Sequence, residues 1–271
     1  MTSSQLGRRV GSHVGRFLAI TPGLLVVVLT YVPLVGLVVL SFSDRPMSGL
    51  PYPLTLRWYE RLAVDTRWLN PIELSIAMSL AVAAACMLFG TLVARVIPHI
   101  RRRGFFLSLF LLVLFVPGVA IGVAMFLYYR SVLDIRLGLW SLFLGQFVWA
   151  FPFALLSVLV VSSRFDLRLL KAAADLGATP WKRFWTIEFP NLRPGIVGAG
   201  IFGFLLSFNE LPRSLYLRGV TTTLPLFEWS EASTQTSNIP YLFALNSIVL
   251  VISLPMISAM TWVLFRRAAD R

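Results

Sequence analysis

Residues 171–195, KAAADLGATPWKRFWTIEFPNLRPG, interrupt an oily chain with a charged, amphipathic stretch that breaks at a glycine. The run 165–176 reads as a short helix with Leu169, Leu170, Ala173 and Leu176 near one face. Gly177 supplies the left-handed backbone that ends such a helix. Thr179 and Pro180 then offer the cap and first-turn chemistry of a second helix. There Trp181, Phe184, Trp185 and Glu188 recur at i, i+3, i+4 and i+7, Lys182 and Arg183 take other faces, and Pro190 is expected to close the element. Two roles fit these residues. One is a hairpin lying on lipid headgroups, with Trp at the interface and Lys/Arg toward anionic lipid. The other is a docking element seated in a cleft on a cytoplasmic partner.

The flanking sequence makes the chain a membrane protein. Of its 271 residues 57% are apolar and 13% charged, against about 25% charged in an ordinary soluble domain. A soluble core of this length could not hide so much oil from water. The 24 Lys+Arg against 12 Asp+Glu cluster at the edges of apolar runs, which reads as membrane topology rather than nucleic-acid binding. The single cysteine, Cys86, excludes an internal disulfide.

A hydrocarbon core needs roughly 20 apolar residues in a helix. Six stretches qualify, about 17–42, 72–94, 105–129, 138–163, 195–217 and 241–265, so the expected fold is an all-α membrane protein with six transmembrane helices in a single transmembrane domain over 1–271. The first run is too long for the apolar region of a signal peptide and no small-residue cleavage site follows it, so it is expected to be a retained span. Placing the N-terminus inside puts sixteen of the 24 basic residues in the cytoplasm, among them Arg8, Arg9, Arg16, Arg95, Arg101–Arg103, Arg266, Arg267 and Arg271. This obeys the positive-inside rule and predicts both termini cytoplasmic. It also puts 164–193 in the cytoplasm, between spans four and five.

Pro33, Pro117-Gly118, Pro152 and Pro255 interrupt apolar runs, breaks that neighbouring helices, Ser/Thr side chains or water can satisfy. In span five Gly195, Ala199, Gly203 and Ser207 recur every four residues, a smooth face for close helix packing. Ala77, Ala81 and Ala85 predict a shorter one in span two. The sequence contains no phosphate-binding G-x-x-x-x-G-K-[ST] loop, no G-x-S-x-G elbow, no H-E-x-x-H and no C-x-x-C. His13 and His99 have no carboxylate or cysteine cluster near them in sequence. No catalytic residues, metal ligands or bound cofactors are therefore expected in this chain.

The quoted segment resembles the signature of inner-membrane permeases of binding-protein-dependent ABC importers: E-A-A, three residues, G, nine residues, I-x-L-P. Ala172-Ala173, Gly177, Ile187 and Pro190 fall at each required spacing, with Asp175-Leu176 as a common variant. Two positions depart: Lys171 stands for the usual Glu, and Phe189 for Leu. The resemblance favours the docking role, with Lys171, Ala172, Ala173, Asp175, Gly177, Trp181, Phe184, Trp185, Ile187 and Pro190 in coupling helices that seat in an ATPase subunit. The charge reversal at Lys171 implies a compensating partner, or pairing carried by Asp175 or Asp166. Further motifs over most of 56–226, among them Leu56-Arg57-Trp58-Tyr59, Val116-Pro117-Gly118, Ala150-Phe151-Pro152-Phe153, Ser207-Phe208-Asn209-Glu210 and Thr221-Thr222-Thr223-Leu224-Pro225, resemble the polyamine-type branch. The resemblance implies a type I importer permease fold in a prokaryotic inner membrane. It also implies a cytoplasmic ATPase dimer carrying ATP and Mg, a second permease subunit (a different chain or a copy), an extracytoplasmic solute-binding protein, and no nucleic acid.

Glu210, beside Asn209 at the outer end of span five, is the clearest intramembrane acid and a functional candidate by default. It either lines the solute path or pairs with Arg213, three residues on. A free carboxylate there would favour a cationic solute, and Trp149 or Phe151 could cradle one by cation–π contact. The polar stretch 228–240 is expected outside, as a contact for a binding protein or a plain connector. Two rival expectations are the same family carrying phosphonate, thiamine, ferric iron or an amino-acid derivative, and a stand-alone secondary transporter. The latter commonly shows repeated halves, and no internal repeat is visible. The absent catalytic cluster disfavours a lipid-modifying enzyme.

Overall fold

The computed structural model describes the backbone of residues 3–234 and 236–269; side chains at 3–20, 236, 256, 257 and 259–269 lie outside the described set, as do the expected terminal arginines Arg8, Arg9, Arg16, Arg266, Arg267 and Arg271. Helices dominate, and among the described residues no strand occurs beyond one isolated bridge, Ser43 with Leu54. The main helices are α1 (Ser3–Leu40), α2 (Arg57–Val64), α3 (Leu69–Val96), α4 (Arg103–Leu112), α5 (Gly118–Leu127), α6 (Leu139–Ser162), α7 (Arg168–Asp175), α8 (Pro180–Arg183), α9 (Phe189–Phe208), α10 (Ser214–Leu217), α11 (Leu224–Thr234) and α12 (Ile239–Ala269).

By length and composition four described segments can cross a membrane: Thr21–Leu40, Leu69–His99, Leu139–Ser162 and Pro180–Phe208. Arg103–Phe115 and Gly118–Val132 would make a fifth as one broken span, bent by 101°. The break falls where the sequence places Pro117, whose ring cannot continue the incoming helix. Pro152, by contrast, is carried inside an unbroken α6. Ile239–Pro255 is apolar but shorter, and the expected continuation to 265 runs into residues whose side chains are not described.

The chain divides into two compact units, residues 1–66 with 231–271, and 67–230. In the first, α2 docks on α12 and the turn before it through Arg61, whose guanidinium donates to Asn238 Oδ1 in that turn at 3.2 Å and lies 5.3 Å from the Tyr241 ring of α12. Trp58 is buried and its indole N–H donates to the Ser43 carbonyl. From Thr21 to Val35 every side chain of α1 is exposed, an apolar surface suited to lipid. Much of the stretch expected as a polar connector at 228–240 is helical, as the end of α11, a 3-10 turn at Thr236–Asn238 and the start of α12.

The second unit is built on α3, α6 and α9, which pack against one another around Val82, Cys86, Ala94, Ala150, Phe151, Ala154, Leu155, Val158 and Ala199. Its seam is the face expected in span five. A Cβ on Gly195 would come within 2.9 Å of the Val158 Cα, and one on Gly203 within 2.8 Å of the Ala83 Cα. Both neighbours are backbone atoms that cannot yield, so only glycine lets α9 lie this close to α6 and α3. The alanine face expected in α3 does not pack: Ala77 and Ala81 are exposed and Ala85 half-buried. The buried stripe is Ser75, Ser79, Val82, Ala83, Cys86 and Gly90. Serine serves there because its hydroxyl is satisfied inside the protein. Ser79 donates to the Ser75 carbonyl at 2.6 Å, and Ser75 Oγ accepts the Leu224 N–H at 2.7 Å.

Candidate functional site: an amphipathic hairpin and a polar knot

The quoted segment folds as two short helices at one end of the second unit. After α7, Gly177 takes φ +82°. Its N–H reaches the Ala174 carbonyl at 2.9 Å, and that of Ala178 reaches Ala173 at 3.0 Å. These are the paired bonds of a glycine-terminated helix end, which satisfy its last carbonyls. Thr179 then caps α8, its hydroxyl accepting the Lys182 N–H at 3.3 Å, with Pro180 in the first turn. Arg183 ties the hairpin together by donating to the Leu170 carbonyl at 3.3 Å.

Pro190 does not close the second helix. From Pro180 to Phe208 the chain runs as one continuous helical path. Directly after its first turn, Phe184–Glu188 forms a π turn. A proline removes one backbone donor and pushes on the preceding turn, and a π turn accommodates that locally. Side chains bond the nearby carbonyls: Thr186 Oγ1 donates to Lys182 and Asn191 Nδ2 to Ile187, each at 2.6 Å. The second helix of the hairpin thus runs without a chain break into α9.

Around this turn Trp181, Phe184, Trp185 and Phe189 form a ladder of ring contacts, with Trp185 and Phe189 5.0 Å apart. Phe189, where the resemblance calls for Leu, is filled by these partners. The free side of the hairpin is apolar: Leu176 is 88% and Trp181 72% exposed, with Leu169 and Trp185 also exposed. Ala172 is exposed, Ala173 and Ile187 are half-buried. Lys171 and Asp175 both face solvent one helical turn apart with no ion pair between them, while Asp166 accepts the Arg168 N–H at 2.9 Å.

At the other end of α9 sits a buried polar knot. Arg213 Nη1 lies 2.6 Å from both Glu210 oxygens, the Arg213 backbone N–H donates to Glu210 Oε1 at 2.9 Å, and each residue is 3% exposed. The guanidinium carbon stands 4.2 Å from the Trp149 ring. Gly118 leaves room for that guanidinium and Gly122 for the Arg213 backbone, a Cβ on either coming within 3.0 Å. Beside it Ser207 donates to Gln146 Oε1 at 2.6 Å, Gln146 Nε2 donates to Ser214 Oγ at 3.2 Å, and Ser141 Oγ donates to the Leu217 carbonyl at 2.8 Å. Of the two alternatives for Glu210, the pair with Arg213 is the one formed. The carboxylate is charge-matched and the Trp149 face already holds a cation. Asn209 is exposed and bonded to the Leu205 carbonyl. Phe151 lies in the hydrophobic core against Phe110 and Phe147.

Sequence reasoning passed over Gln146, Ser141 and Ser214 as bonding partners and read Arg95 only as a topology marker. The signal available for Gln146 was its place inside an apolar run, where an amide needs a partner.

These elements, a bundle of apolar helices with a capped amphipathic hairpin before its penultimate long helix, define a membrane-embedded transport component. Residues 86–268 match the family described as the binding-protein-dependent transport system inner membrane component, and the chain belongs to that family, as an inner-membrane permease of the ABC importer class. It is 29% identical over 232 residues to the spermidine/putrescine transport system permease protein PotC of Escherichia coli, covering 84% of this chain and 87% of that one. It is 27% identical over 250 residues to the putrescine transport system permease protein PotI of Escherichia coli, covering 88% and 87%. A shorter likeness, 32% over 95 residues, links it to the molybdenum transport system permease protein ModB of Haemophilus influenzae, covering 34% and 42%.

Proposed function

We propose that this chain forms one half of the translocation pathway of an ATP-driven importer, with six spans and both termini in the cytoplasm. The hairpin 165–190 docks into a separate cytoplasmic ATPase, whose closure moves α9 and drives alternating access. The observation that carries this is the hairpin itself: a doubly capped helix pair that exposes Leu176 and Trp181 and runs without a break into the closely packed α9. Lys171, Ala172, Ala173, Asp175 and Gly177 lie on its first arm, Trp181, Phe184, Trp185, Ile187 and Pro190 on its second. ATP and Mg belong to the partner. A second permease subunit completes the path and an extracytoplasmic binding protein delivers the solute.

Gly177→Val tests the docking role. A β-branched residue at φ +82° is strongly disfavoured, so the turn distorts while the spans remain. The expected result is normal insertion with solute uptake lost or uncoupled from ATP hydrolysis. Unchanged uptake in that variant would sink the reading.

The solute we infer is a polyamine-like organic cation, supported by the relatives named for spermidine and putrescine. A second reading is favoured by the knot: with Glu210 neutralised by Arg213, this site contributes no net charge toward a cation, and the family could serve a different solute here. Calorimetry on the cognate binding protein with spermidine, putrescine and oxyanions decides between them.

A further inference from the structure

Arg95 lies in the last turn of α3 and makes two contacts with the base of the docking hairpin. Its Nε donates to Glu188 Oε1 at 2.7 Å, and its guanidinium carbon stands 4.5 Å from the Phe184 ring. Phe184 and Glu188 are the first and last residues of the π turn. One side chain on a neighbouring helix therefore grips both ends of the irregular turn through which the hairpin joins α9. Glu188 is buried to 8% exposure while Arg95 is partly open. The carboxylate is thus withdrawn from water and held by this partner, a geometry that a planar guanidinium with a stacking face can serve and a point-charge ammonium cannot serve equally.

A π turn is a weak place to transmit force, because its hydrogen bonds are longer-range and poorly repeated. Left alone, a push on the hairpin could dissipate by flexing there instead of shifting α9. We propose that Arg95 is a positioning residue for the coupling step: by clamping Phe184 and Glu188 it stiffens the turn, so that movement of the hairpin reaches α9. The inference rests on the docking role proposed above. Two simpler duties of Arg95, a positive charge inside and a cation at a helix C-terminus, require neither Glu188 nor Phe184, so altering Glu188 separates them from the clamp.

The test uses the complex of this chain with the ATPase that copurifies with it, in lipid vesicles. An environment-sensitive dye is placed on Phe202→Cys, an exposed position of α9; the native Cys86 is fully buried and does not compete for it. The readout is the spectral response to ATP with vanadate, normalised to the amount of intact complex and set against ATP hydrolysis. Glu188→Gln keeps the shape and removes the charge; Arg95→Gln removes the clamp from the other side. Both are expected to retain the ATPase and its hydrolysis while the response falls about five-fold or more, the scale of a typical coupling free energy. A purely architectural pair would lower the yield of complex and leave the normalised response alone. A full response in Glu188→Gln overturns the clamp. No response in the unaltered complex, or a full response in Gly177→Val, overturns the docking role beneath it, so the two failures are distinct.

Discussion

At the level of single residues, backbone geometry and charge pairing set what each position tolerates. Thr179→Ala removes one oxygen that accepts the Lys182 N–H and is expected to cost about 1 kcal/mol of local helix stability. Faster proteolysis between 165 and 190, with the spans still protected, is the measurement. Arg213 is a different case. Truncating it to Ala leaves the Glu210 carboxylate buried and unpaired, a loss of about 3–5 kcal/mol. Glu210→Gln with Arg213→Gln together removes both charges and should recover most of that. Thermal unfolding of the purified chain and the two variants measures it, and a double variant as unstable as the single one would show that Arg213 acts through packing against Trp149 instead. The pair itself could be read from the three-residue spacing of Glu210 and Arg213. Its other walls could not: Gly118 and Gly122 come from α5, far away in sequence, and no local pattern reports contacts between distant helices.

Among the elements, the penultimate helix was the most legible. Its repeat of small residues at every fourth position, two of them glycine, announced a packing face, and Gly195 and Gly203 meet backbone on two sides. The same reasoning failed on α3, where alanines at that spacing point outward. Alanine is small enough to pack but apolar enough to face lipid, so its spacing alone does not choose a side, whereas Ser75 faces inward where its hydroxyl accepts the Leu224 N–H. Pro190 misled for a related reason. A proline predicts lost hydrogen bonds, but whether the helix ends or bulges depends on side chains such as Thr186 and Asn191 that can bond the nearby carbonyls. Gly203→Leu should force α9 away from Ala83, at a cost of at least about 1–3 kcal/mol for overpacking. Ala81→Leu, on the exposed face of the same helix pair, should be silent in the same melting experiment. Equal losses in both would mean that Ala81 too is covered in the membrane.

For the molecule as a whole, the question is which way the hairpin faces. The docking proposal requires it to be on the side of ATP, and the distribution of basic residues supports that side. The run Arg101–Arg103 beyond α3 and the cluster Arg164, Arg168, Lys171, Lys182, Arg183 and Arg193 flank the α3, α6 and α9 spans at the same end. Translocating such clusters is costly, and basic residues within about 15–20 residues of a span end fix its orientation. The broken helix pair 103–115 and 118–132, bent by 101°, matters here. If the break only kinks a single span, α6 starts on the outer side, and the hairpin that follows it returns to the cytoplasm together with Arg101–Arg103. A re-entrant pair would reverse α6 and part the hairpin from Arg101–Arg103, which is incompatible with the 2.7 Å bond between Arg95, in the last turn of α3, and Glu188 at the base of the hairpin. A cysteine at Lys171 and another at Arg102, each in intact cells, test which face of the membrane the two segments share. Both should resist a membrane-impermeant maleimide until the cells are opened, then label together. Labelling of Lys171→Cys in intact cells would put the hairpin on the outer face, where no ATPase can reach it.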